Sequence, residues 1–125
     1  MQQIAIIQVN EAGKDIALLL QRQLNAQIIQ RTDVGKQWNK FDAFIFIGAM
    51  GICVRTIAPY VKDKHTDPAV VCIDSMGKNV ISVLSGHIGG ANDLTHQVAE
   101  ILGANPVITT QSDNAGLWAD RKSVV

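Results

Sequence analysis

The chain of 125 residues has no excess of either charge: eleven Lys and Arg stand against eleven Asp and Glu. A nucleic-acid footprint needs a basic excess or patch, so no nucleic-acid partner is expected. Aromatic residues make up only 5%, too few for a platform on which bases stack. There are just two cysteines, Cys53 and Cys72, each inside an apolar run, without CxxC spacing or a companion histidine cluster. No structural metal site is therefore expected. The two read as buried thiols of a reducing compartment. No apolar run approaches the roughly 20 residues that cross a bilayer. The start, Met1-Gln2-Gln3-Ile4, lacks the charged segment and apolar core of a signal peptide. The expectation is a cytoplasmic protein with no membrane partner.

What is present is a hydrophobic content of 47%, enough for a core in one domain of ordinary size. Residues 4–9, 42–47, 69–73 and 80–84 are nearly continuous apolar runs, the pattern of strands buried on both faces. Shorter strands are expected at 27–30 and 105–109. Between them lie helical patterns. Ile16, Leu19, Leu20 and Leu24 share one face, with Asn10 as a candidate cap before it. Met50, Val54, Ile57, Ala58 and Val61 make a second, which Pro59 must bend or restart. Ala91, Leu94, Val98, Ile101 and Leu102 make a third, closed by Gly103. Trp38 is expected to pack at the edge of the core.

Only residues 74–79 separate two of the strands, too few for a crossover helix, so that pair is an antiparallel hairpin. The fold class is α/β: a layered, open, mixed sheet, mostly parallel with one antiparallel hairpin, helices packed on it. Residues 1–112 form the domain. Residues 113–125, where the apolar pattern weakens, read as a tail or the start of a linker.

Two glycine-rich turns leave strand ends. Ser85-Gly86-His87-Ile88-Gly89-Gly90-Ala91-Asn92-Asp93 carries three glycines, a histidine, an amide and a carboxylate ahead of a helix. Glycine permits positive φ and close backbone approach, and a helix start offers free N–H groups. His87 could take or give a proton near neutrality, with Asp93 to orient it. The N–H groups of Gly89, Gly90 and Ala91 could hold a carboxylate or an oxyanion. The plain alternative is a tight turn with a loop histidine. It is neither GxGxxG nor a P-loop. Gly48-Ala49-Met50-Gly51 is similar, with Arg55 placed to pair with a ligand carboxylate or simply to lie on the surface. Thr109 and Thr110 follow the last strand as further polar contacts or a capped loop. With the two strands parallel, both turns would open onto one rim, where α/β sheets bind ligands.

These motifs together resemble one family. Gly48-Ala49-Met50-Gly51-Ile52-Cys53-Val54-Arg55, then Ile57-Ala58-Pro59, Asp63-Lys64 and Asp67-Pro68-Ala69-Val70-Val71 follow in its order. Leu84-Ser85-Gly86-His87-Ile88-Gly89-Gly90-Ala91-Asn92 is similar to its strongest signature. Leu102-Gly103-Ala104 and Pro106-Val107-Ile108-Thr109-Thr110 close the series. The family is CbiG of cobalamin biosynthesis. The resemblance, over residues 44–113, implies a cobalt-precorrin-5A hydrolase: opening of a δ-lactone and release of acetaldehyde from a contracting tetrapyrrole. Cobalt would arrive with the substrate, so no separate cofactor is implied. Family members usually continue into a second domain, which implies a C-terminal partner domain or another enzyme of the pathway.

Within that reaction, residue chemistry puts His87 as general base or acid. Gly48, Gly51, Arg55, Ser85, Gly86, Gly89, Gly90, Asn92, Thr109 and Thr110 are the candidates for binding substrate. The alternatives are a corrinoid-binding module without catalysis and, more remotely, a phosphate- or nucleotide-binding α/β domain.

Overall fold

The computed structural model describes residues 2–86 and 89–110. The six strands come in the expected chain order: β1 Ile4–Gln8, β2 Gln27–Ile28, β3 Ala43–Ile47, β4 Ala69–Ile73, β5 Asn79–Leu84 and β6 Asn105–Val107. They form one sheet in the order β2-β1-β3-β4-β5-β6. β1 runs parallel to β2 and β3, β3 to β4, and β5 to β6. Only β4 and β5 are antiparallel, joined by the short link that excluded a crossover. Pro106 sits in the edge strand β6, the place where a missing N–H does least harm.

Helices cover both faces. α1 Lys14–Leu24 and α4 Ala91–Leu102 pack on one, while α2 Val34–Gln37 and α3 Met50–Ile57 pack on the other. Strand alternation divides the core accordingly. Ile4, Ile6, Ile45, Ile47, Val71 and Ile73 point to the α1/α4 layer. Ala5, Ile7, Phe44, Phe46, Val70 and Cys72 point to the α2/α3 layer. Every residue of β3 and β4 is buried, which is why those runs are apolar without alternation. Phe44 and Phe46 are among the largest fully buried side chains, and Phe46→Ala would cost about 3–5 kcal/mol. Trp38 belongs inside the second layer, stacked on Phe44 at 5.3 Å between ring centroids.

Helix ends follow their residues. α1 closes on Asn25 and α4 on Gly103, both left-handed. α3 stops at Ile57, and Pro59 admits only one 3-10 turn, Ala58–Tyr60. Its buried line is Cys53 and Ile57. Val54 and Val61, expected on the apolar face, are 46% and 40% exposed. With the chain leaving the helix at Pro59, the stripe never reaches Val61, and Cys53 takes the inward place. Asn10 precedes a 3-10 turn, Glu11–Gly13, but makes no side-chain cap. Residues 113–125, read as a tail or linker, lie outside the described residues, as does His87.

Candidate functional site

The two glycine turns do not share a rim. β3 is parallel to β4, and β4 is antiparallel to β5. The carboxyl end of β3 therefore lies at one end of the sheet and that of β5 at the other. A five-residue strand at about 3.3 Å per residue puts roughly 17 Å between those ends. Gly48, Gly51 and Arg55 stand at the first rim. Ser85, Gly86, Gly89, Gly90, Asn92, Thr109 and Thr110 stand at the second, because β6 runs parallel to β5.

At the first rim, Gly48 has φ +150, and a Cβ there would lie 2.6 Å from Cβ of Val9. Glycine is needed where the β1 and β3 loops meet. No described residue accepts a hydrogen bond from the N–H of Met50 or Gly51 at the start of α3. The guanidinium of Arg55 folds back over Gly51, 3.5 Å from where a Cβ would stand. Open N–H groups, the positive helix end and a guanidinium together favour an anion. Beneath them the Cys72 thiol donates to the Gly48 carbonyl at 3.5 Å. A hydrogen bond with Cys72, and then burial, push the Cys53 thiol far above the ordinary thiol range. Fully buried, Cys53 is a packing group of the second layer. The β4–β5 hairpin closes this rim. Its Asp74 carboxylate accepts from the N–H groups of Met76, Lys78 and Asn79. Partial burial raises the Asp74 pKa, but those bonds and the Asn79 amide outweigh it and hold the carboxyl below its usual range.

At the second rim the turn is held largely by itself. Ser85 adopts φ 59, a left-handed conformation that a non-glycine residue seldom takes. Its carbonyl accepts from Gly89 N–H at 3.0 Å and Ala91 N–H at 3.3 Å, and the Gly86 carbonyl accepts from Asn92 N–H at 3.2 Å. Two of the three expected anion donors, Gly89 and Ala91, are therefore occupied. Gly90 and Asp93 retain N–H groups that no described residue accepts. A Cβ on Gly89 would lie 2.7 Å from Cβ of Ser85 and 3.0 Å from its carbonyl oxygen, so this glycine is sterically required. Asn92 ties three elements together. Its Oδ1 accepts from the Ser82 hydroxyl of β5 at 2.7 Å, and its Nδ2 donates to the Thr110 hydroxyl beyond β6 at 2.9 Å. Thr109 and Thr110 are exposed beside it.

Two cavities involve residues that composition and spacing did not single out. One, about 370 Å³, lies at the carboxyl ends of β1 and β2 between Gln8 and Arg31. The other, about 260 Å³, lies at the second rim among Trp38, Asp42, Asp67 and Gly89. The first lies beyond the carboxyl ends of two parallel strands, the side of an α/β sheet on which ligands bind. Asp67 reads in sequence as one of several loop acids, yet it is only 7% exposed.

Residues 32–113 match the family model described as cobalamin synthesis G N-terminal. The chain belongs to this family. The cobalt-precorrin-5A hydrolase of Salmonella typhimurium is 63% identical over 73 residues, 58% of this chain and 21% of that protein. The cobalt-precorrin-5A hydrolase of Priestia megaterium is 62% identical over 76 residues, 61% of this chain and 20% of that protein. A crystal structure described as a homolog of cobalamin biosynthesis protein G, from Sulfolobus solfataricus, superposes with TM-score 0.75 at 33% identity. It covers 90% of this chain and 38% of that one. The chain thus spans about a fifth of the length of the curated relatives it matches. No helix among the described residues is long and apolar enough to cross a membrane.

Proposed function

We propose that this chain is the N-terminal, substrate-handling part of a cobalt-precorrin-5A hydrolase. The observation that carries this reading is identity of 63% and 62% with two proteins of that name, in a chain of the cobalamin synthesis G N-terminal family. Cobalt belongs to the substrate.

Lactone opening needs an activated water, a stabilised carbonyl oxygen and a held macrocycle. We assign these to the second rim. His87 transfers the proton, Gly90 and Asp93 offer open N–H groups, and Asn92, Thr109 and Thr110 make polar contacts. Gly48, Gly51 and Arg55 form a separate anion-holding turn that takes a peripheral carboxylate of a ligand from the opposite end. The cavities, at about 370 and 260 Å³, stand at the bottom of or below the range of about 300 to 1,000 Å³ that buries a drug-sized ligand, and a tetrapyrrole macrocycle is larger than such a ligand. This chain then supplies one wall, and the remaining length of the relatives supplies the other.

The test is turnover of cobalt-precorrin-5A, followed as acetaldehyde release, by the chain alone and joined to the rest of a related hydrolase. Joined protein should turn over. In it, His87→Ala should lower the rate at least a hundredfold while leaving substrate affinity nearly unchanged, the size expected for a lost general acid or base. Unchanged turnover in that variant removes His87 from the chemistry. No turnover by the joined wild type overturns the hydrolase reading.

A further inference from the structure

The cavity at the second rim is lined by two carboxylates and two aromatic residues. Asp67 lines it and is 7% exposed. Its Oδ2 accepts from the backbone N–H groups of Lys62 at 2.8 Å and Asp63 at 3.0 Å. No described residue donates to its Oδ1. Asp42, on the same lining, accepts from Gln3 N–H at 2.7 Å. Trp38 and Phe41 form aromatic walls, and Thr66 and Gly89 complete the mouth. No lysine or arginine is paired with either carboxylate among the described residues, although Lys40, Lys62 and Lys64 are exposed on this end of the domain. A largely buried carboxylate without a countercharge favours a cation. Two carboxylates fall short of a metal cage: no group of three or more His, Cys, Asp or Glu is gathered among the described residues.

We propose that this cavity binds an organic cation, an alkylammonium or guanidinium head, on the Asp67 carboxylate beneath the Gly89 turn. At about 260 Å³ it has room for such a head and a short stem. The site is independent of the hydrolase reading, and a ligand there would brace the turn that carries His87. Two sources share the chemistry: a free small molecule, or a lysine or arginine of a longer polypeptide that contains this domain.

The test titrates n-butylammonium chloride and methylguanidinium chloride into the isotopically labelled chain and follows amide and indole signals. Shifts confined to Trp38, Thr66, Asp67 and Gly89, with a Kd of the order of millimolar, support the site. 1-Butanol, the neutral counterpart, should bind at least tenfold more weakly. So should n-butylammonium to Asp67→Asn, whose side-chain oxygen can still accept from Lys62 and Asp63. Equal binding of the alcohol, or no localised shift by tens of millimolar cation, overturns the proposal, and neither readout depends on the variant's folding. In a full-length relative, a retained response identifies a free ligand. Signals already at their bound positions and unresponsive identify a side chain of the same polypeptide.

Discussion

Val70 lies opposite Leu84 in the antiparallel ladder between β4 and β5. The chain therefore leaves β5 where it enters β4, and the Ser85–Asn92 turn sits over the loop that precedes β4. The Ser85 hydroxyl donating to the Asp67 carbonyl at 3.2 Å is the direct contact between them. Arg55 and Asn92, two residues with ligand-holding chemistry, are thereby set at opposite ends of the sheet.

Residues this far apart without shared partners should act independently. In a hydrolase carrying this domain, Arg55→Ala and Asn92→Ala are each expected to reduce kcat/KM for cobalt-precorrin-5A. Converted to free energy, the double variant should equal the sum of the singles within about 0.5 kcal/mol. A double-mutant cycle is the measurement. A coupling energy above about 1 kcal/mol would join the two residues in one contact network and contradict the separate rims.

The layers of this fold are legible in sequence residue by residue, and the rims only through strand direction. Residues 43–47 and 69–73 are apolar at every position because both faces of β3 and β4 are covered, and that pattern needs no partner information to read. The link that the sequence places at residues 74–79 is short enough to show that β4 and β5 are antiparallel. With β3 joined to β4 by a crossover helix, that same hairpin already reverses β5 relative to β3. Yet the strand-to-helix turns at Gly48 and Gly86 look alike residue by residue, since composition carries no strand direction. The occupied N–H groups of Gly89 and Ala91 were equally hidden. They depend on Ser85 adopting a left-handed conformation that its side chain disfavours. Asp67 resembles its exposed neighbours in sequence, and its burial shows only in the fold, where its carboxylate turns back to the N–H groups of Lys62 and Asp63.

Asp74 makes stability depend on pH in a definite direction. Its folded pKa lies below the ordinary value, where hydrogen bonds from the hairpin outweigh the effect of burial. A carboxylate of this kind stabilises the fold fully above its unfolded pKa, about 3.9, and the contribution is lost as pH falls through the lower folded value. Asp74→Asn keeps an acceptor but removes the titration. Denaturant unfolding should find the variant less stable than wild type at pH 6, with the difference shrinking on acidification below about pH 4. A difference that stays constant down to pH 2 would assign Asp74 a role without charge.

Thr95 and Thr56 make a controlled pair. Thr56, on α3, donates its hydroxyl to the Ile52 carbonyl one turn back at 2.7 Å. Thr95, on α4, is fully buried against the α1/α4 layer, and its hydroxyl has no partner among the described residues. An unpartnered buried hydroxyl has lost its water without replacement, at a cost of about 1–3 kcal/mol. Valine has nearly the same shape and nothing to desolvate. Thr95→Val is therefore expected to stabilise the domain by about 1 kcal/mol, read from the denaturant midpoint at unchanged slope. Thr56→Val should do the opposite, because it removes a bond that is made. If both variants lose stability equally, the Thr95 hydroxyl has a partner in solution, and α4 is held to the sheet by more than its apolar face.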